Sequence, residues 1–255
     1  MSDYIDKYKR RLNRNGADLG EAYSNNTIAF IESTFSASPT FRRIGVRSIE
    51  NPEITEMDAR VVEVERLGTL REVLFRPTSD GLNVGTYITF DKHTWLIFDR
   101  FSKDKVTVEQ CNRKLKWKDR DGNLISLDCI ASSQDLGSKA KQSKNEIEFN
   151  KYDVSLPLGQ LFVFVELSDL TKQIRLNQRF IFGSNAYEVT GIDDTTMVRE
   201  YGTESYGILQ LTVKITTIKE EDDFVNRIAY NKYEDISTTT PVEGNPDTGE
   251  GGMIW

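Results

Sequence analysis

The sequence predicts a mainly β fold: duplicated β-hairpin modules forming small β-barrel or sandwich domains, with an N-terminal helical arm and a disordered C-terminal tail. Three observations predict it. "YITFDKHTWLIFD" from Tyr87 and "RFIFGSNAYEVTG" from Arg179 share one grammar, in which an apolar alternating run, a polar break and an aromatic-led return run follow each other. Alternation of period two also dominates from Phe41 to Ile218. The two ends differ in composition from this body and from each other.

The first segment reads as helix. Ser2 or Asp3 can cap an apolar stripe of Tyr4, Ile5, Tyr8 and Leu12, and Gly16 stands where a terminating glycine is expected. A second helical run from Ala17 to about Phe35 carries Leu19, Tyr23, Thr27, Phe30, Ile31 and Thr34 at helical spacing, and Pro39 stops it. These helices either pad the β-body or form a docking arm for another ring or subunit.

Strands follow in "FRRIGVRSI", "ARVVEVE" and "LREVLFRP", then the first hairpin phrase, then "KVTVEQC". Asp121-Gly122 marks a tight hairpin within "CNRKLKWKDRDGNLISLDC". Leu115 and Trp117 point one way on its first strand, Lys114, Lys116 and Lys118 the other. That lysine row is either a solvated face that resists edge pairing or a contact for nucleic-acid phosphates. Residues 132–150, polar and rich in Ser and Lys, read as a flexible loop or linker. Strands resume with "LFVFVEL", the second hairpin phrase and "YGILQLTVKITTI". "KEEDDFVNRIAYNKYED" reads as a short helix with its acids at the N-terminus. The expected organisation is therefore an arm (1–40), a first β module (41–131), the loop (132–150), a second β module with a short terminal helix (151–230) and an acidic linker with a tail peptide (231–255). The repeated phrases are two related modules or two halves of one curled sheet, with chance convergence of β-rich sequence as the alternative.

Charge is unevenly placed. The chain of 255 residues has a net charge of −7. From Met1 to Arg14 five basic residues face two acids, a balance of +3, whereas from Lys219 onward nine acids face three bases, a balance of −6. Opposite ends could attract in neighbouring copies. No apolar run approaches the roughly 18 residues of a membrane span, and the N-terminus lacks a signal-type apolar segment. Synthesis in the cytosol, and two reduced core thiols at Cys111 and Cys129, are expected.

No nucleotide-binding glycine loop, nucleophile elbow, zinc-protease helix or calcium loop is present. One histidine, His93, and two cysteines do not have the spacing of a zinc site. The remaining carboxylate groups, Asp119 with Asp121, Asp193-Asp194 and the run Glu220 to Asp223, each have a structural explanation in a turn or a helix start. No catalytic, cofactor-binding or metal-binding residue is assigned, and no cofactor is expected.

The phrases "LREVLFRP", "GTYITFDKHTWLIFD", "EQCNRKLKWKDRDGNLISLDCIASS", "RLNQRFIFGSNAYEVTGIDD" and "LTVKITTIKEEDDFVNRIA" resemble a family of structural proteins of tailed bacteriophages with Gram-positive hosts, the head-tail connector or head-closure proteins. The likeness spans about Leu70 to Ala229. In many of those proteins an immunoglobulin-like domain follows, where this sequence has a short linker and "GGMIW". The resemblance implies a virion neck protein: a homo-oligomeric ring, with a dodecamer as one option, between a portal or adaptor protein above and a tail protein below. Packaged DNA would pass through its lumen without sequence-specific contact, and no membrane would be involved. Tyr4, Tyr8 and Arg11 on the arm and Met253, Ile254 and Trp255 on the tail are the expected partner contacts. A tail or baseplate component is the alternative, and a virion-associated hydrolase is a third reading.

Overall fold

A computed structural model describes Tyr4 and residues 19–49, 51–64, 69–77, 79, 82–102, 104–119, 121–133, 159–201 and 204–232. Six strands form a closed antiparallel barrel: β1 (Phe41–Arg47), β2 (Thr55–Glu63), β3 (Leu70–Phe75), β4 (Tyr87–Phe90), β5 (His93–Arg100) and β6 (Lys105–Gln110). Their order around the barrel is β1-β2-β3-β6-β5-β4, and β4 returns to β1 through the Val46–Ile88 pair. Alternate residues point inward, so Ile44, Val73, Ile88, Ile97, Val106 and Val108 fill the interior. Between β4 and β5, Asp91 and Lys92 both take positive φ, +48° and +66°, as a two-residue turn matched to strand twist requires.

The second sheet contains β7 (Arg113–Lys118), β8 (Leu124–Ser132), β9 (Gln160–Glu166), β10 (Arg179–Phe182), β11 (Asn185–Asp193), β12 (Val198–Tyr201) and β13 (Glu204–Thr216). Its main path is β7-β8-β9-β13-β11-β10, and β12 is added alongside β13. Strand for strand, this repeats the order of the first barrel. Trp117 of β7 and Phe180 of β10 meet edge to face at 6.0 Å, so side chains bridge the two ends of the path. The hairpin β7–β8 belongs to this sheet, because Ile130, Ala131 and Ser132 pair with β9. The junction between sheets thus falls at Cys111-Asn112, not at residue 131: a hairpin's local pattern is silent about which sheet it joins.

The repeat extends to single hydrogen bonds. Gly85 N–H donates to Ile97 O and Ile97 N–H to Thr86 O, at 2.8 and 3.0 Å; at one constant offset, Asn177 N–H donates to Val189 O and Val189 N–H to Gln178 O, both at 2.9 Å. Gly85 and Asn177 both have positive φ. Pairing slips by one residue at Phe98 in β5 and at Thr190 in β11, equivalent places. The aromatic pairs correspond too: Phe90 stacks on Trp95 at 4.7 Å, and Phe182 meets Tyr187 edge-on at 5.8 Å. The two phrases are therefore the same hairpin used twice, once in the closed barrel and once in the second sheet. That sheet is barrel-like without strand pairing between β7 and β10 and is called the second barrel below.

One face of the first barrel adjoins the second sheet. β5 is buried on both sides along Trp95–Phe98 because Trp95 and Ile97 fill its own barrel while Leu96 and Phe98 join the core of the second. Phe98 packs edge-on against Phe164 at 5.3 Å. Backbone meets backbone where Gly85 touches Gly207: a methyl group added to Gly85 would lie 1.9 Å from Gly207 O.

Helix α1 (Leu19–Thr34) ends in a short 3-10 turn, Phe35–Ala37. Phe35 is fully buried, with the guanidinium groups of Arg60 and Arg76 at 4.6 and 4.8 Å from its ring. Arg60 also donates to Thr34 O and Phe35 O, and Arg76 pairs with Glu32 and Asp58. These two carboxylates raise the pKa of Arg76 further, with Asp58 the stronger partner.

The segment after β13 departs from the expected helix. Residues 219–231 form turns, closed by reciprocal bonds between Asp223 and Ile228 at 2.9 and 2.8 Å, with Arg227 at φ +60°. Asp222 is drawn inward to Arg179, a demand a regular helix start could not meet. The 132–150 loop beyond Ser133 and the tail from residue 233 onward lie outside the described residues.

Candidate functional site

The seam between the barrels is organised by Asp128. Its Oδ2 accepts from Arg47 at 2.7 Å and its Oδ1 from Lys114 at 2.9 Å. Its main-chain oxygen accepts the Tyr87 hydroxyl at 2.6 Å, and Arg47 lies 5.0 Å from the centre of the Tyr87 ring. Glu166 reaches back from β9 to accept Ile49 N–H at 2.7 Å. Residues from β1, β4, β7, β8 and β9 therefore fasten one barrel to the other. Burial raises the Tyr87 phenol and both thiols, Cys111 and Cys129, well above their ordinary values, so all three stay protonated near neutrality. No disulfide joins the cysteines.

Beside this seam lies an open cleft of about 540 Å³. Arg113, Lys114, Lys116 and Asp128 line it together with Val225 and Arg227 of the 219–231 segment. Lys116 Nζ donates to Asn226 O at 3.2 Å. The lysine row of β7 is thus partly spent within the chain: Lys114 holds the seam carboxylate and Lys116 the 219–231 segment.

That segment acts as a strap over the β7–β10 gap. Arg179 Nη1 and Nη2 donate to the two oxygens of Asp222 at 2.9 and 2.8 Å, and also to Tyr230 O and Thr217 O. Asn231 pairs with β10 as a strand would, accepting Arg179 N–H at 2.6 Å and donating to Arg179 O at 3.0 Å. Its carboxamide satisfies an edge that no neighbouring strand covers. Burial opposes ionisation of Asp222, yet bonds from Arg179 and from the Lys219 and Tyr230 amides outweigh it and lower the pKa.

The other singled-out carboxylates also serve the backbone. Asp119 accepts from Asn123, which lowers its pKa. Asp193 accepts Thr195 and Thr196 N–H and is lowered to about 2, chiefly by its bonds to Thr196. Among the described residues, no group of three or more His, Cys, Asp or Glu could hold a metal ion, and no helix is long and apolar enough to cross a membrane.

Of the expected contact residues, Tyr4 is 78% exposed, while Tyr8, Arg11, Met253, Ile254 and Trp255 lie outside the described residues. On α1, the stripe side chains Tyr23 and Phe30 are each 68% exposed, and the helix is anchored at its C-terminal end. Sequence reasoning missed Asp128, Arg47, Arg113, Arg227 and Asn231. The one available signal was Asp128, a charge inside the apolar run "LDCI".

No curated protein matches this chain. Among solved structures it is similar to the Bacillus subtilis inhibitor of motility MotI/DgrA, at 10% identity over 71% of this chain and 90% of that one, with a TM-score of 0.19, too low to inform fold or function. A family model matches residues 113–214, which begin with β7 and end inside β13, and so coincide with the second barrel. Through that barrel the chain is similar to the YomX C-terminal domain, a phage-type family of Bacillus SPbeta-like prophage.

Proposed function

We propose that this protein is a structural component of the tailed-phage neck, a homo-oligomeric ring between portal or adaptor and tail that closes the head while DNA passes through the lumen. One observation carries the reading: α1 is clamped at its base through Phe35 and presents Tyr23, Ile28 and Phe30 outward, the form of an arm that reaches a neighbouring subunit. A phage-type family match over the second barrel supports the setting. Two barrels joined by buried contacts supply a stiff block for lateral packing, and rotation of such blocks head to tail closes a ring. No chemistry is required of it.

Gold labelling of the protein in assembled particles tests this, with label expected at the head–tail junction. Label at the tail tip would transfer it to the tail or baseplate. Light scattering of the purified chain, alone and with a portal protein, should show ring formation that Tyr23→Ser with Phe30→Ser abolishes. Loss of cell-wall clearing on Asp193→Asn would instead support a hydrolase.

A further inference from the structure

The cleft beside the seam holds four cations, Arg113, Lys114, Lys116 and Arg227, against one carboxylate. That carboxylate, Asp128, is already shared by Arg47 and Lys114. Lys116 donates to the Asn226 carbonyl and Arg113 to the carbonyl of its neighbour Asn112. Neither Arg113 nor Arg227 forms an ion pair among the described residues. The strap sharpens the contrast, for it carries Glu220, Glu221, Asp222 and Asp223. Asp222 is taken by Arg179, Asp223 accepts from Asn226 at 2.9 and 2.7 Å, and Glu221 and Asp223 line a separate pocket with Lys118 and Asp119. Towards the cleft the strap presents Val225 and Arg227. A chain of net charge −7 thus gathers positive charge in one concavity, which attracts an anion.

The cations stand on fixed backbone. Arg113, Lys114 and Lys116 belong to β7, which pairs with β8 along its length, and Arg227 has φ +60° within the loop closed by Asp223 and Ile228. Asn112 is held by reciprocal bonds with Ala131, both at 2.9 Å. A ligand therefore meets donors already in place, and their number sets the charge it must carry. A single carboxylate answers one guanidinium fork and leaves the other cations unmatched, whereas linked phosphate groups offer charged oxygens to two forks and two ammonium groups. The volume of about 540 Å³ falls within the roughly 300–1,000 Å³ of small-ligand sites. Among the described residues no aromatic ring lines the cleft, so a base has no stacking platform there. Duplex DNA fits less well: it is held by cations arrayed along a groove, and here they converge on one concavity with Asp128 among them.

We propose that this cleft is a binding site for a compact polyphosphate, an anion of linked phosphate groups held by Arg113, Lys114 and Lys116 of β7 and Arg227 of the strap. Bound there, the anion ties the strap to the barrel seam. The site does not depend on the neck reading.

Calorimetric titration of the full-length protein with tripolyphosphate tests it, with lysine acylation read by mass spectrometry as a second measurement. Binding should be at least about tenfold tighter than for orthophosphate, because attraction grows with ligand charge. It should weaken at roughly 0.5 M salt, where the Debye length is only a few ångströms. Arg113→Gln with Arg227→Asn, Asn being tolerated at positive φ, should weaken binding by about tenfold or more, and the exposed control pair Lys172→Gln with Lys214→Gln by less than about twofold. On the natural chain, tripolyphosphate should protect Lys114 and Lys116 from acylation but not Lys172 or Lys214, and this decides the matter if the arginine variant fails to fold. Equal weakening by the two pairs of substitutions, orthophosphate binding as tightly as tripolyphosphate, or protection spread evenly over exposed lysines would overturn the proposal. So would displacement of tripolyphosphate by a duplex oligonucleotide at equal phosphate concentration, which would transfer the cleft to nucleic acid.

Discussion

Asp222 accepts both terminal nitrogens of Arg179, with the two side chains 0% and 5% exposed. The bond joins β10 to the strap and closes the second barrel where no strand pair does. Arg179→Met or Asp222→Asn leaves a buried group without its partner and should cost about 3–5 kcal/mol in urea unfolding. Replacing both by apolar residues should cost clearly less than the sum, which a double-mutant cycle would detect.

Acid should loosen the strap and the β11–β12 turn together. Asp222 and Asp193 both titrate below the ordinary aspartate range in the folded state, Asp193 at about 2. Each therefore adds stability that is complete above the unfolded pKa of about 3.9 and is lost as pH falls through the folded value. Unfolding midpoints should be flat above about pH 5 and fall towards pH 2, and Asp222→Asn should shallow that fall.

Gly85 and Asn177 occupy equivalent positive-φ positions but differ in what surrounds them. Gly85→Asn keeps a residue type tolerated at that φ, yet its Cβ would strike Gly207 O. A loss of about 2–3 kcal/mol or more is expected, from overpacking. Asn177→Gly should change stability by under about 1 kcal/mol. Equal effects at both sites would show that local conformation, and not barrel contact, selects the glycine.

Phe35 is the root of the arm. Phe35→Ala removes a buried ring flanked by two guanidinium groups and should destabilise the chain by about 3–5 kcal/mol. Limited proteolysis should then cut α1 well before the barrels unfold. Tyr23→Ser, on the exposed stripe, should leave the melting temperature within about 2 °C.

Strand positions were legible because alternation and turn chemistry act over a few residues. The runs from Phe41, Ala59, Leu70, Lys105 and Leu161 each begin in a strand of the structure, and Asp121-Gly122 stands in a tight turn. The repeated phrase was legible for the same reason, since each copy carries its own aromatic pair and two-residue turn. The acidic run from Glu220 misled, because four acids resemble a helix start until Arg179 claims one of them from across the chain.

Sheet membership, the seam and the cleft were not legible. Each depends on residues far apart in sequence: Arg47 with Asp128, Gly85 with Gly207, Arg113 with Arg227. Period-two patterning specifies which face of a strand is apolar but not whether that face looks into its own barrel or onto its neighbour. Leu96 and Trp95 are equally apolar, and packing alone sends them to different cores. Local sequence thus specified the strands, the turns and the doubled hairpin. Long-range packing and charge pairing, which no short window contains, arranged them into two joined barrels with a cationic cleft at the seam.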